Sequence, residues 1–183
     1  MVLGSGQTND SSLLQGKWGL DAAVISAVDL IKGIGICAEM QSIDVEGATG
    51  NVHTNYDGKA NATIEAFKSG KDLVYVHVEG PDECGHRGEI ENKVMSIEKI
   101  DALILKPVYD YFKASGEDFK IMVLPDHPTP IEIRTHSSEH VPFFIYDSRK
   151  EGCGPDTFNE DTSRETGTVV DDGSTLLDIM FND

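Results

Sequence analysis

Residues 73–86 read Leu-Val-Tyr-Val-His-Val-Glu-Gly-Pro-Asp-Glu-Cys-Gly-His, an apolar run followed at once by potential ligands. The part from Leu73 to Val78 is short, rich in β-branched residues and bounded by turn residues, which predicts a buried strand. Asp82 and His86 follow it four residues apart, so on a helical turn their side chains face the same way. Ligand sites of α/β proteins lie beyond the carboxyl ends of parallel strands. This segment therefore predicts a site at the end of a strand.

Strands and helices alternate along the rest of the chain. We expect further strands at 22–28, 42–45, 120–124 and 141–146, helices at 30–40, from Asp57 onward, at 89–114 and at 174–181, and an acidic loop at 156–165. In the long helix, Pro107 predicts a kink or the start of a second segment, and the stripe Val94, Ile97 and Ile104 predicts a core face. The pattern indicates the α/β class, with a largely parallel sheet flanked by helices.

Length and composition set limits on the function. The 183 residues suffice for one domain with a sizeable core. A formal net charge of −17 argues against nucleic acid as a partner, because phosphate backbones select basic faces. The charge either serves solubility or marks carboxylates that hold a cation. The longest apolar run, 141–146, is strand-sized, and the polar start predicts neither a secretory signal nor a membrane partner. Three cysteines without CxxC spacing predict a reducing compartment and a cytoplasmic location.

Two other segments place potential ligands next to predicted strands. Asp126 and His127 follow the strand at 120–124, and His136 precedes the strand at 141–146. Each signal is weak alone, since His136 can equally be a surface histidine. With Asp82 and His86, however, they form a mixed oxygen and nitrogen set that suits Mn²⁺ or Zn²⁺. The cysteine pattern does not fit an all-sulfur zinc site.

Several motifs in a fixed order resemble a known family. They are PDECGH at 81–86, LPDHPTP at 124–130 and RTHSSEHVPF at 134–143, joined by KWGL at 17–20, AVISAVDLIKGIG at 23–35 and GATG…TNYDGKA from 47 to 60. This order resembles the alkaline phosphatase superfamily and, within it, the archaeal-type cofactor-independent phosphoglycerate mutases. Their relatives include proteins proposed as homoserine kinases. The similarity covers about residues 14–181.

The resemblance implies an alkaline phosphatase-like fold with two divalent metal ions, Mn²⁺ or Zn²⁺ with Mg²⁺ as a third candidate, and no organic cofactor. It implies that Asp82, His86 and His136 ligate one ion, and that Asp126 and His127 serve the other. Family members also carry an Asp-Gly aspartate and a phosphorylated serine near their N-terminus. Neither can be placed here: Ser5, Ser11 and Ser12 lack the family's context, and Asp10 is not followed by Gly.

We therefore interpret residues 1–16 as a flexible start and 17–183 as the C-terminal part of the metal-binding domain, with the N-terminal strands and the inserted domain missing. The complete family enzyme would interconvert 3-phosphoglycerate and 2-phosphoglycerate through a phosphoserine. Without the serine, the isolated chain is expected to be inactive. The alternatives are another phosphotransferase or hydrolase of the superfamily, acting on homoserine, a phosphodiester or a sulfate ester, and a non-catalytic fragment that forms a homodimer through an exposed sheet edge.

The expected partner is a phosphorylated small molecule, whose charge a cationic side chain should neutralise. Lys17 is the first candidate by its position in the resemblance, and Lys32 is the second; each can equally be a solvated lysine. His77, inside the predicted strand 73–78, is interpreted as a buried histidine with its hydrogen bonds satisfied. Support of Asp82 by a hydrogen bond from His77 is the alternative.

Overall fold

The computed structural model describes residues 13–150, 152 and 154–181, so most of the predicted flexible start lies outside the described residues. The last residues of this predicted start belong to a π-helical turn, Leu13–Trp18. The chain forms two compact units. Unit 1 comprises the residues up to Cys84 together with Ile90–Tyr109, and unit 2 comprises Gly85–Glu89 and the residues from Asp110 onward.

Unit 1 is built on a three-stranded parallel sheet of order β2-β1-β3. The strands are β1 (Ala22–Ile25), β2 (Gln41–Ile43) and β3 (Leu73–Val76). In the register, Ala23 of the central strand pairs with Gln41 on one side and with Val74 on the other. All four residues of β1 are at most 3% exposed, as expected for a parallel strand whose two faces are covered. The predicted α/β class with a largely parallel sheet is confirmed.

Helices α1 (Asp29–Cys37) and α2 (Tyr56–Lys68) pack against this sheet. Gly35 of α1 lies so close to β1 that a Cβ there would overlap the Val24 Cγ1 methyl and come within 3.0 Å of Val24 Cβ. Asn55 begins α2 as its N-cap, since its Oδ1 accepts a hydrogen bond from the Gly58 N–H at 2.8 Å. The buried residues of α2 are Tyr56, Lys59, Ala60, Thr63 and Ala66.

The predicted helix 89–114 is divided into three segments: α4 (Ile90–Ile100), a π-helical turn (Asp101–Leu105) and α5 (Lys106–Ser115). A separate short helix, α3 (Gly80–Arg87), precedes them. Pro107 is the second residue of α5, directly after the π-helical turn. It therefore starts a second segment, one of the two outcomes that the sequence predicted.

The predicted core stripe of this helix is wrong in its first half. Val94 and Ile97 are 51% and 52% exposed, whereas Ile104 is 6% exposed. Ile104 itself lies in the π-helical turn, whose i→i+5 hydrogen bonds break the 3.6-residue period on which the stripe was based. In α4 it is Ser96 that is fully buried, with its Oγ 2.9 Å from the Tyr56 hydroxyl.

Unit 2 contains a two-stranded antiparallel sheet of β4 (Lys120–Val123) and β5 (Phe144–Asp147). This pairing departs from the predicted parallel arrangement. Parallel strands are usually connected through a crossover helix, and residues 124–143, all of them described, contain no helix. The Phe119 ring stacks on Phe112 at 5.0 Å and contacts Tyr146 at 5.5 Å, which anchors β4 and β5 to the end of α5.

The acidic segment predicted as a loop is helical in its second half. Helix α6 (Glu160–Glu165) begins after Asn159, whose Oδ1 accepts a hydrogen bond from the Thr162 N–H at 3.0 Å. Acidic residues in a first helical turn are stabilised by the helix dipole, which the loop prediction overlooked. A 3₁₀ turn (Gly173–Thr175) and α7 (Leu176–Phe181) follow, as predicted for the end of the chain. No helix of the described residues is long and apolar enough to cross a bilayer.

Candidate metal centre

Three histidines meet in unit 2. His86 lies in the last turn of α3, His127 follows β4, and His136 lies in the loop before β5. The Nε2 atoms of His86 and His136 are 3.2 Å apart. The ring centroids of His127 and His136 are 3.7 Å apart, with an angle of 34° between the planes. Three segments that are far apart in sequence thus bring their imidazoles together, and we call these residues the histidine cluster.

The orientation of His86 suits metal binding. Its Nδ1 lies 3.0 Å from the carbonyl oxygen of Arg134. A carbonyl oxygen only accepts hydrogen bonds, so Nδ1 carries the proton and Nε2 carries the lone pair. Two nitrogens that bind one tetrahedral Zn²⁺ at 2.0–2.1 Å stand about 3.3 Å apart. The distance of 3.2 Å between the Nε2 atoms of His86 and His136 therefore fits a shared cation.

Asp126 brings a carboxylate to the same segment as His127. The Asp126 Oδ1 accepts a hydrogen bond from the His127 N–H at 3.1 Å, and its Oδ2 lies 3.5 Å from His127 Nε2. The Asp126 side chain is 61% exposed, so its oxygens remain accessible. On the other side of the ring, Nδ1 of His127 lies 3.3 Å from the hydroxyl of the buried Thr129. The segment offers both oxygen and nitrogen ligands.

Asp82 belongs to an acidic group in unit 1. Its carboxylate and those of Glu79 and Glu83 have oxygens within 4.8 Å of one another. Carboxylate oxygens in such a group can hold a hard or borderline divalent cation. Asp82 lies one helical turn before His86 on α3, which preserves the i, i+4 spacing read from the sequence.

The two lysines predicted to bind substrate have contacts near their own positions. The Lys17 ammonium lies 4.5 Å from the centre of the Trp18 ring, a cation–π distance. Lys32 donates to Asp44 Oδ1 at 2.6 Å, and this hydrogen bond raises the pKa of Lys32. Both side chains therefore have interaction partners close to their own positions.

Lys59 is the residue that the sequence reasoning missed. It is 1% exposed, and its ammonium donates to the carbonyl oxygen of His77 at 2.7 Å. Burial lowers the pKa of Lys59 to about 8, although the negative charge of Glu79 acts in the opposite direction and raises it. The missed signal is helical spacing: Tyr56, Lys59 and Thr63 recur every three or four residues and share the buried face of α2.

A serine and a histidine lie at the same edge of the unit 1 sheet. Ser26 follows β1, His77 follows β3, and the Ser26 Oγ is 3.1 Å from His77 Nδ1. The Val28 N–H donates to the same Oγ at 3.0 Å, so the Ser26 hydroxyl is free to donate to His77. The prediction that His77 is hydrogen-bonded agrees with this contact, but the prediction that it is buried within the strand is wrong: β3 ends at Val76, and His77 lies just beyond this end, where it is partly exposed. With Lys59, these side chains place polar donors at the carboxyl edge of the sheet, where α/β proteins bind ligands.

Comparisons with known proteins identify the family of the chain. The sequence matches the model of the metalloenzyme superfamily over residues 4–182. It is 45% identical over 182 residues to the 2,3-bisphosphoglycerate-independent phosphoglycerate mutase of Methanosarcina acetivorans. The aligned region covers 98% of this chain and 45% of that protein. It is 42% identical over 180 residues to a probable mutase of the same type from Geobacter sulfurreducens, again over 98% of this chain and 45% of the relative.

A solved structure shows the same fold. The PH0037 protein from Pyrococcus horikoshii superimposes with a TM-score of 0.78 at 27% sequence identity, over 92% of this chain and 50% of that one. This chain spans about half the length of the relatives that it matches. The chain belongs to the metalloenzyme superfamily, and its similarity within that superfamily is to the cofactor-independent phosphoglycerate mutases, mostly archaeal.

Proposed function

We propose that the chain is the C-terminal part of a metal-dependent phosphoglycerate mutase. The whole protein would interconvert 3-phosphoglycerate and 2-phosphoglycerate through a phosphoserine, in cytoplasmic glycolysis and gluconeogenesis. The observation that carries the proposal is the histidine cluster, formed by motifs that lie within the segment shared with the named mutases. The substrate is accordingly a phosphorylated small molecule.

Two divalent ions, Mn²⁺ or Zn²⁺ with Mg²⁺ as a third candidate, would bind at the motif residues. Asp82, His86 and His136 would hold one ion, and Asp126 and His127 would contribute to the other. When bound, such ions supply positive charge that stabilises phosphoryl oxygens during transfer. The separation of 3.2 Å between the His86 and His136 nitrogens supports the first assignment. The exposed carboxylate of Asp126 supports the second.

We propose Lys59 as the buried cation whose positive charge favours binding of the substrate phosphate at the sheet edge. Lys17 and Lys32 are the candidates from the sequence, but their ammonium groups contact Trp18 and Asp44. Lys59 is buried beside the end of β3, with its ammonium already oriented by the His77 carbonyl. A lysine in a desolvated site interacts more strongly with an anion than an exposed one does. Lys59 therefore has the stronger support.

The proposal includes inactivity of the 183-residue chain alone. Phosphoryl transfer through a phosphoserine needs a serine nucleophile in the family's context. Ser5, Ser11 and Ser12 lack that context and lie outside the described residues. Detectable interconversion of the two phosphoglycerates by the purified chain would contradict this part of the proposal.

The first test is metal binding by the purified chain. We expect at least one tight site for Mn²⁺ or Zn²⁺ in titration calorimetry, and elemental analysis should find the ion in stoichiometric amount. His86→Ala removes one of the two imidazole nitrogens that stand 3.2 Å apart in the histidine cluster, so the affinity should fall at least tenfold. The matched control is His140→Ala, an exposed histidine of unit 2 outside the cluster, which should leave the affinity unchanged.

Two results would count against the metal assignment. One is a wild-type chain that binds neither ion. The other is an equal loss of affinity in His86→Ala and His140→Ala, which would assign the binding to the general negative charge of the chain. Because the ligand motifs are shared across the superfamily, a positive result leaves the choice between the mutase and a kinase or hydrolase to assays with phosphoglycerate, homoserine, a phosphodiester and a sulfate ester.

A second candidate is a non-catalytic chain that associates with itself. Among the described strands, β3 pairs only with β1, so its other edge is open. Tyr75 on this strand is 46% exposed. Open strand edges are ready templates for pairing with another chain. This observation favours a homodimer formed through the β3 edge.

A further inference from the structure

The C-terminal end of α3 lies against an arginine from the loop before β5. The helix ends at Arg87, and Gly88 follows with a φ of +71° and donates its N–H to the Gly85 carbonyl at 3.2 Å. A Cβ on Gly88 would lie 2.9 Å from Nε and 3.0 Å from Cζ of Arg134. The guanidinium therefore rests directly on the Gly88 backbone, and a side chain at position 88 would displace it. A cation at this end of a helix is also favoured by the helix dipole.

The backbone of Arg134 adopts an unusual conformation. Its φ is +54°, in the left-handed region that residues with a Cβ rarely occupy. The Arg134 N–H donates to the Pro130 carbonyl at 2.9 Å, and the Arg134 carbonyl accepts from His86 Nδ1 at 3.0 Å. The left-handed turn thus presents a carbonyl oxygen to His86. The guanidinium contact with Gly88 and the hydrogen bond to Pro130 hold the turn in place.

This contact sets the chemistry of the His86 ring. The carbonyl of Arg134 selects the tautomer with the proton on Nδ1 and leaves the lone pair on Nε2. That lone pair faces Nε2 of His136 at 3.2 Å. With the opposite tautomer, a hydrogen would occupy the position where a shared ion has to bind. The state of His86 therefore depends on where Arg134 holds its carbonyl.

We propose that Arg134 is a positioning residue that, by packing its guanidinium on Gly88, fixes His86 in the Nδ1–H tautomer with Nε2 directed at His136. The inference rests on the proposed metal-binding function of His86. Arg134 acts through His86 and not through its own contact with an ion. Gly88 is the second residue that this positioning needs, because its missing side chain leaves the space that the Arg134 guanidinium fills.

The first test uses the metal-free chain. Nitrogen NMR of the imidazoles should show His86 as the Nδ1–H tautomer in the wild type. In Arg134→Ala the guanidinium anchor is lost, and we expect a mixture of the two tautomers. Either an Nε2–H tautomer in the wild type or an unchanged Nδ1–H tautomer in Arg134→Ala would overturn the proposal. Thermal unfolding checks that the variant is folded.

The second test measures affinity for Mn²⁺ and Zn²⁺. Loss of a group that orients a ligating histidine typically weakens binding tenfold to a hundredfold, and we expect this of Arg134→Ala. The matched control is Arg164→Ala, whose side chain is 71% exposed and pairs with Asp161 in the same unit. Equal affinities of the two variants would overturn the positioning role. A wild type that binds neither ion would contradict the proposed function, while the tautomer measurement would still decide the role of Arg134.

Gly88 supplies an independent check. Gly88→Ala should push the guanidinium away from its contact with residue 88. Because position 88 has a φ of +71°, alanine also strains the backbone, so the affinity should fall at least as far as in Arg134→Ala. Because both substitutions break the same contact, the double variant should lose no more than the weaker-binding single variant. Losses that multiply in the double variant would show that Gly88 and Arg134 act separately, and the proposal would fail.

Discussion

Lys59 is a charged side chain in a position that favours a neutral one. It is 1% exposed, and its carbonyl partner on His77 offers a hydrogen bond but no opposite charge. Burial of an ammonium group disfavours the protonated form, which lowers the pKa of Lys59 to about 8. Perturbed pKa values of this kind cluster at functional sites. Lys59 thus carries a stability disadvantage, and this is one reason why it is a candidate for the phosphate-binding role proposed above.

The lowered pKa of Lys59 predicts how the free energy of unfolding changes with pH. Below pH 8, Lys59 is protonated in the folded and the unfolded chain, and the folded state carries the full penalty of roughly 2 kcal/mol after allowance for solvent screening. Between pH 8 and about 10, the folded amine loses its proton while the unfolded one keeps it, so this contribution to stability improves with rising pH. Lys59→Met should therefore be more stable than the wild type at pH 7, with an advantage that shrinks toward pH 10.

Urea unfolding at several pH values measures this difference. The control is Lys68→Met, which changes a half-exposed lysine on the same helix and should give a difference that is nearly constant with pH. An advantage of Lys59→Met that grows with pH would have the wrong sign for a lowered pKa. It would mean that the ammonium group is stabilised in the folded chain.

The sequence predicts the histidine cluster better than it predicts Lys59, for a physical reason. His86, His127 and His136 each border an apolar run, and the ends of strands are recognisable in a sequence. Lys59 stands in a helix among polar residues, where a lysine is normally solvated. Its burial depends on how α2 packs against its surroundings, which a single sequence does not state.

At the scale of elements, two glycines of α1 have opposite surroundings. A Cβ on Gly35 would overlap the Val24 side chain of β1, whereas a Cβ on Gly33 would meet nothing within 4 Å. Gly35→Ala should destabilise the chain by about 1–3 kcal/mol because it forces α1 away from the sheet. Gly33→Ala should be neutral or stabilise by up to about 1 kcal/mol, since alanine restricts the unfolded chain.

The free energies of unfolding of these two variants give a matched comparison within one helix. If both variants were stabilised equally, α1 would not pack on Val24 as the structure has it. If both were destabilised, the α1 segment would need glycine for a reason other than close packing. The comparison tests the contact between helix and sheet without changing the hydrophobic composition of the core.

Elements with a strong local signal were the ones predicted well. Strands β1 and β3 were recognised from short apolar runs, and the observed strands lie within the predicted ranges. The π-helical turn Asp101–Leu105 has no signature in hydrophobic periodicity, so the predicted core face of α4 was wrong. Helix α6 was missed because its stability comes from the Asn159 cap and not from an apolar face.

At the scale of the whole molecule, the open edge of β3 predicts self-association. Strands with an unpaired edge and an exposed large side chain tend to pair with another chain. In sedimentation equilibrium we expect a monomer–dimer mixture that shifts toward the dimer with concentration. Tyr75→Lys places a charge on this strand and should weaken the dimer at least tenfold. A clean monomer at high concentration, or a dimer indifferent to Tyr75→Lys, would show that the β3 edge is not used.

The alternation of predicted strands and helices indicated the α/β class, and the fixed order of several motifs indicated the superfamily. The division into two compact units was not predicted. Apolar periodicity reports which side of an element is buried, but it does not report which elements share a core. The antiparallel pairing of β4 and β5 likewise depends on a long connection without a helix, whose course no local pattern specifies.

The π-helical turn between α4 and α5 has a consequence for how this segment can evolve. It changes the angular phase of the helix, so Val94 and Ile97 face outward while Ile104 and Val108 remain inside. The side chains of α4 and α5 thus differ in which positions are buried, although every residue of Ile90–Ser115 is helical. A single-residue deletion within Asp101–Leu105 would restore the ordinary phase and rotate one half relative to the other by about 100°, which moves buried side chains away from the core. Insertions and deletions at this turn should therefore be rarer among natural variants than amino-acid replacements on either side of it.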